Sequence, residues 1–257
     1  MAGIHSTAVV DKRAELGEGV VVGPYAVVSG PAVIGADTTI GPYSLLDGAV
    51  ELGRGCRIFS HAVLGTIPQD LKFEGEETDL KIGNGTTVRE FVTVNRGTKA
   101  SGATIIGANC LLMAYSHVAH DCVLGDNVVL ANAATLAGHV YVGAHAFIGG
   151  LSAVHQFSRV GKHAYVGGMS RVSQDIIPYG LTASEPTRVV GVNVVGLQRR
   201  GFSEEVRAAL KQAYNVIYRQ NLNTAQAVAR LEQEMGDVAE VRDIIEFLQK
   251  TDRGILK

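Results

Sequence analysis

The sequence predicts a mainly β protein: a parallel β-helix of hexapeptide repeats wound as a triangular prism, followed by a small α-helical C-terminal domain. Three observations predict it. An aliphatic residue returns at almost every sixth position from Ile4 to Val172. Its neighbours repeat too, with glycine often directly after it and a small residue two before it. From Ser203 the six-residue period gives way to a helical one. Self-similarity at a short fixed period marks a solenoid, whose units bury their apolar side only against their neighbours.

Between Ile4 and Val172 the lattice has 29 points, and 26 of them are Ile, Leu or Val. The chain holds 68 such residues in 257, so chance would give this pattern on the order of 10⁻¹¹ over six phases. The exceptions, Asp70, Glu76 and Ala100, cluster where the repeat is interrupted. From Cys110 to Ser170 the small column holds only Cys, Ser, Val and Ala. Each hexad therefore reads small-in, any-out, branched-in, then three turn residues, with glycine expected to make the turn. Three hexads close a coil of 18 residues, and stacking places residues i and i+18 about 4.8 Å apart. Cys56, Cys110 and Cys122 fall in the small inward column and are expected to be buried, inert thiols.

Residues 65–81 fit no inward column and read as an excursion loop from a corner. Residues 95–105 form a second break. The repeat ends near Pro178, and residues 179–197 read as a transition. Ser203, followed by Glu204 and Glu205, is a helix cap with an acidic first turn, and Val206, Leu210, Tyr214 and Ile217 make its apolar stripe. Further helices are expected from about Thr224 to Glu234, ended by Gly236, and from about Val238 to Thr251. The expected domains are the prism, 1–190, and the helical tail, 191–257. The tail is too small to be secure alone and is expected to pack on the coil end or on another subunit.

Composition narrows the function. Charged residues make up 19% and the net charge is −2, which argues against disorder and gives no overall field for nucleic acid. No apolar run reaches the length of a membrane-spanning helix. The start, Met1-Ala2-Gly3-Ile4-His5, lacks the basic and apolar parts of a secretory signal. Three cysteines do not make a disulfide scaffold, so a reducing, cytoplasmic setting is expected.

The eight histidines sort by hexad. His120, His139 and His155 fall in turns after Val118, Leu136 and Val154, spaced 18 apart, and therefore on one edge. His145 and His163 share another edge, and His117 is the outward residue just before the His120 turn. Imidazole suits general acid–base work, and an adjacent carboxylate, here Asp121, fixes its tautomer. Gly138, one coil on, could offer an unhindered N–H to an oxyanion. Zinc or iron is the rival reading, but the edge has no cysteine and its imidazoles lie at different turn offsets, so no metal is expected.

These residues resemble a known family. His117-Val118-Ala119-His120-Asp121-Cys122, Leu136-Ala137-Gly138-His139, Ala153-Val154-His155-Gln156-Phe157, Gln69-Asp70-Leu71-Lys72 and Gly196-Leu197-Gln198-Arg199-Arg200-Gly201-Phe202-Ser203 are similar to motifs of the acyl-carrier-protein–UDP-N-acetylglucosamine O-acyltransferases, which open lipid A biosynthesis. The resemblance spans essentially the whole chain. It implies a left-handed coil, a cofactor-free homotrimer with a site between neighbouring coils, and transfer of a (R)-3-hydroxyacyl group from acyl carrier protein to the glucosamine 3-hydroxyl of UDP-N-acetylglucosamine. By the same match His120 is the general base, Asp121 orients it and Gly138 is the oxyanion donor with His139 nearby. Asp70 and Lys72 meet the sugar and phosphates, His155, Gln156, Asn193 and Arg199 line the nucleotide end, and Gln69 and Arg200 are further substrate-binding residues. His117 is a substrate-side residue, and Gly168 matches the acyl-length ruler, leaving room for a longer chain. Arg199, Arg200, Arg207, Lys211 and Arg219 would form a basic surface for the acidic carrier.

The chain departs from the family at three places. Asn95 stands where histidine is usual, Val195 where an acidic residue is common, and Ser184-Glu185-Pro186 replaces a Gly-Asn-Pro-like turn. These departures raise an acceptor with a 3-amino group as an alternative. The related UDP-3-O-acylglucosamine N-acyltransferase is another, although it normally carries an extra N-terminal domain and here hexads begin at Ile4. A γ-type carbonic anhydrase and a non-catalytic scaffold complete the alternatives.

Overall fold

The computed structural model describes residues 3–257. Met1 and Ala2, part of the start considered above for a signal, lie outside the described residues. Each hexad contributes a short strand with one residue out and one in. In Val21–Val22 the first is exposed and the second is buried. The strands stack as three parallel sheets, the faces of a prism. The first face begins at Gly3–Ile4, the second at Val9–Val10 and the third at Glu15–Leu16. Val21 pairs with Thr39 and Val129 with Phe147, the expected step of 18. The step differs at the two interruptions: Val63 pairs with Thr93, 30 residues on, and Thr93 with His117, 24 on. The strands stay in register because both extra segments leave and return at one edge, between the second and third faces.

Each edge has its own character. The first and second faces meet at an aromatic edge, where Tyr25, Tyr43, His61, Phe91 and Tyr115 stack with centroids 4.8–5.2 Å apart. The second and third meet at an edge carrying His120, His139 and His155, the histidine edge. The third and first meet at the junction edge, carrying His145 and His163.

Glycine makes only some of the turns, as at Gly19 (φ 73°), Gly55 (φ 68°) and Gly85 (φ 69°). In many others the left-handed seat is held by larger residues, among them Asp121 (φ 59°), Asn127 (φ 59°), His139 (φ 60°) and His145 (φ 62°). Glycine after the aliphatic residue answers a different need. A Cβ on Gly35 would lie 2.5 Å from the carbonyl carbon of Gly53 in the next coil. The coils approach too closely there for any side chain.

The interior is a column of lattice residues, with Leu46, Leu112, Leu136 and Ile148 fully buried. Each contributes about 1.5–3 kcal/mol on leaving water. All three cysteines are free and buried, and burial pushes the Cys122 thiol up to about 12. Among the described residues of the first coil Ile4 is 47% exposed. The C-terminal end of the prism is closed. Leu256 enters the prism core, its N–H donating to the Asp175 carbonyl at 2.8 Å.

The transition segment forms an antiparallel hairpin, Gly180–Ser184 with Thr187–Val192. Helices α1 (Val194–Arg199), α2 (Glu204–Arg219), α3 (Thr224–Met235) and α4 (Ala239–Gln249) follow. Ser203 caps α2 by accepting from the Val206 N–H. Asn223 and Gln226 form a reciprocal capping box on α3. Gly236 ends α3 as expected, but in a right-handed conformation. The helices pack on the coil end, sharing a second core with Ile177 and Tyr179. Arg159 stitches α4 to the third face: its guanidinium lies 5.5 Å from the Tyr141 ring centroid and 4.2 Å from that of Phe247. Among the described residues no helix is long and apolar enough to cross a membrane.

Candidate active site

The histidine edge turns the chain from the second face to the third through three seats. The first seat holds Ala119, Ala137 and His155 in successive coils, the second His120, Gly138 and Gln156, and the third Asp121, His139 and Phe157. Backbone bonds lock this register: His139 N–H donates to the His120 carbonyl at 3.0 Å, and Phe157 N–H to that of Gly138 at 3.2 Å. The expected histidines thus share one edge but occupy different seats. His120 and His139 meet edge to face at 5.2 Å, and His139 stacks on Phe157 at 4.6 Å. His155 is exposed, and its Nδ1 lies 3.0 Å from the Gln156 carbonyl.

The dyad is built at the centre of this edge. The Asp121 side chain is fully enclosed, and its Oδ2 lies 2.7 Å from His120 Nδ1 and 3.5 Å from His139 Nε2. Burial pushes this carboxyl up, but hydrogen bonds from Ser101, Thr98 and His120 outweigh burial and bring it down to about 2. It is therefore an anion at neutral pH. His120 keeps 12% of its side chain exposed. Beneath its ring lies Gly138, where a Cβ would stand 2.6 Å from Cε1 and 2.7 Å from Nε2. Among the described residues no acceptor takes the Gly138 N–H. The ligand atoms of His120, Asp121 and His139 lie within 4.8 Å of one another, close enough to suggest a metal. His120 Nδ1 is engaged by the carboxylate, in a hydrogen bond of 2.7 Å.

His117 points out of its strand on the second face, with Nδ1 2.7 Å from Thr93 Oγ1. Burial and then the neighbouring His120 charge hold it below the usual histidine range. Gln69, Asp70 and Lys72 sit on the excursion loop, which leaves from this same edge. Asp70 turns the loop by accepting from the Lys72 N–H at 3.0 Å, and Lys72 is exposed. Asn95, at the loop base, is buried and donates to Thr66 Oγ1 at 3.2 Å and the Ile67 carbonyl at 3.0 Å.

The remaining expected residues stand on other edges of the prism. Gly168 lies in a turn of the aromatic edge beside the exposed Met169. Asn193 caps α1 and donates to the His163 carbonyl at 3.0 Å, on the junction edge. Arg200 donates to His145 there. Arg199 lines a groove of about 320 Å³ with Tyr165, Leu181 and Asn193. A groove of about 600 Å³ between α3 and α4 holds none of the expected site residues. Sequence periodicity missed Thr98 and Ser101, which hold Asp121. The one signal available was a break rich in hydroxyl residues, on the edge that carries the histidines.

Comparison with known proteins decides the family. A protein of Trichlorobacter lovleyi named acyl-[acyl-carrier-protein]–UDP-N-acetylglucosamine O-acyltransferase is 52% identical over 99% of both chains. One of the same name from Herminiimonas arsenicoxydans is 46% identical over the full length of both. The chain belongs to the acyl-[acyl-carrier-protein]–UDP-N-acetylglucosamine O-acyltransferase family. The family model for UDP-N-acetylglucosamine O-acyltransferase domain 2 matches residues 175–256, and the six-repeat bacterial transferase hexapeptide model matches 103–138. Among solved O-acyltransferases, LpxA from Acinetobacter baumannii superposes with a TM-score of 0.97 at 36% identity over 99% of each chain. The enzyme from Campylobacter jejuni superposes with a TM-score of 0.92 at 38% identity over 98% of each. The prism is accordingly the left-handed β-helix with the small helical C-terminal domain that the resemblance implied.

Proposed function

We propose that this protein transfers a (R)-3-hydroxyacyl group from the thioester of acyl carrier protein to the 3-hydroxyl of the glucosamine in UDP-N-acetylglucosamine, opening lipid A biosynthesis. Full-length similarity to enzymes named for this donor and acceptor supports the reading. The observation that carries the chemistry is the buried Asp121–His120 pair beside the free N–H of Gly138.

Asp121 accepts the Nδ1–H of His120, leaving the Nε2 lone pair for the substrate. Nε2 takes the proton of the sugar 3-hydroxyl as that oxygen attacks the thioester carbonyl carbon. The carbonyl oxygen becomes an oxyanion and accepts the Gly138 N–H. Collapse breaks the carbon–sulfur bond, and the departing thiolate takes the proton from the imidazolium. The thioester is already activated, so a base and an oxyanion donor suffice, with no cofactor or metal. His117 and His139 flank the acceptor, and Gln69, Asp70 and Lys72 take the sugar and phosphates. His155, Gln156, Asn193, Arg199 and Arg200 take the nucleotide end, and Gly168 bounds the acyl chain. The basic surface of Arg199, Arg200, Arg207, Lys211 and Arg219 receives the carrier.

These groups stand on three different edges, so one chain cannot gather them around one substrate. A homotrimer, with an edge of one coil facing a different edge of the next, supplies that convergence. A cytoplasmic location fits the carrier-bound donor.

Incubation with a panel of hydroxyacyl carrier proteins and each nucleotide sugar, read by mass spectrometry, tests the proposal. The expected product is the 3-O-ester, and His120→Ala is expected to lower kcat at least about 10²-fold. Turnover of the 3-amino sugar alone would reassign the acceptor. An unchanged rate in His120→Ala would remove the mechanism.

A further inference from the structure

The carboxylate of Asp121 is enclosed by a segment that takes no part in the six-residue lattice, the break after Asn95. Thr98 donates its N–H to Oδ1 at 2.9 Å and its hydroxyl to Oδ2 at 2.7 Å. Ser101 donates its hydroxyl to Oδ1. An ionised carboxylate offers about four acceptor sites. Three are filled from within 98–101, and the fourth, on Oδ2, receives His120 Nδ1 at 2.7 Å, while the titratable His139 faces the same Oδ2 from the next coil with its Nε2 at 3.5 Å. Below, the Asp121 N–H is fixed to Thr104 Oγ1 at 2.9 Å. The segment is itself anchored: Gly97 N–H donates to the Asp79 carbonyl at 3.1 Å, and Thr78 Oγ1 to the Gly97 carbonyl at 2.6 Å. The prism does not require this arrangement, since coils elsewhere close with 18 residues.

We propose that Thr98 and Ser101 are positioning residues of the transfer reaction: they occupy every acceptor site of Asp121 but one, and so confine His120 to the tautomer and orientation that present Nε2 to the acceptor. The inference rests on the reading of His120 as the base. Together with His120 these donors outweigh the burial of Asp121 and keep it ionised. Without them the carboxylate can rotate and its pKa rises, because it loses hydrogen bonds to its charged form. The acid limb of the pH–rate profile then moves to higher pH.

Ser101→Ala, Thr98→Val and the double variant test this, with Thr98→Ser as the conservative control and His120→Ala as the reference. Ser101 is exposed and its truncation leaves no hole in the core, so Ser101→Ala decides the matter even where the double variant fails to fold. The expected result is a fall in kcat of about tenfold for Ser101→Ala and about 10²-fold for the double variant, with KM for the nucleotide sugar within about twofold. The acid limb of kcat/KM rises in both, Thr98→Ser stays within about threefold of the parent, and the ¹⁵N resonances of the His120 ring move towards a mixture of tautomers. Ser101→Ala with parental kcat, acid limb and ring resonances, alongside an inactive His120→Ala, overturns the inference and leaves the base assignment standing. An active His120→Ala removes both.

Discussion

The histidine edge and the junction edge are built alike and behave oppositely. Each brings two imidazoles from adjacent coils into contact: His120 meets His139 at 5.2 Å, and His145 stacks on His163 at 4.7 Å. On the histidine edge the pair shares a buried carboxylate, Asp121. On the junction edge the partner is a cation. Arg200 donates to His145, and His163 is sandwiched between His145 and Tyr179, with Phe202 against its edge. Burial, then the charges of His145, Arg200 and Lys162, push His163 down to about 4, against the weaker opposing pull of Asp243. Burial and then Arg200 also lower His145. Stacking therefore supplies proximity, while the neighbouring charge decides whether an imidazole is poised to take a proton or held neutral as packing.

Substitutions on the two edges should separate these roles. Asp121→Asn exchanges the anion for a neutral amide at the same size and should lower kcat by about 10²-fold or more, with folding retained; steady-state kinetics and circular dichroism check it. Gly138→Ala should cost kcat about 10- to 100-fold, because the new methyl displaces the His120 ring, while the melting temperature barely moves. On the junction edge His163→Ala should leave kcat within about threefold but lower stability by about 1–3 kcal/mol through lost ring packing, as denaturant unfolding would show. Equal losses of activity on both edges would erase the contrast. The smallest effect is in pH. His163 folds with its pKa depressed from 6.5 to about 4, so the unfolded chain binds more protons between those values. Its contribution to stability is intact above pH 6.5 and is lost as pH falls towards 4. The melting temperature should decline through that window, and His163→Gln should flatten the decline.

The prism was legible because its physics is periodic. One inward aliphatic residue per side, repeated without drift, fixes faces, edges and the vertical neighbours of each histidine. The same arithmetic placed His120, Asp121, Gly138 and His139 together. It could not place Thr98 and Ser101, because an inserted segment obeys no lattice and its partners are set by how the chain folds back. The short helix α1 and the hairpin after Pro178 escaped for a similar reason: few residues, no sustained period. The glycine that follows the aliphatic residue misled because composition records its presence and not its cause. At Gly35 the cause is the next coil, not the turn. Caps, by contrast, are local chemistry, and Ser203 was readable at once.

The left-handed seat has a consequence for how chemistry arises on this scaffold. A backbone held near φ +60° tolerates aspartate, asparagine and histidine better than most side chains. Asp37, Asn109, Asp121, Asn127, His139, His145 and His163 all occupy such seats. On the histidine and junction edges this conformational filter favours proton carriers and acceptors, and the coil pitch lines them up at contact distance. A reactive centre here needs no invention of geometry: recruiting one anion beside a ring already in place converts an idle corner into a working one.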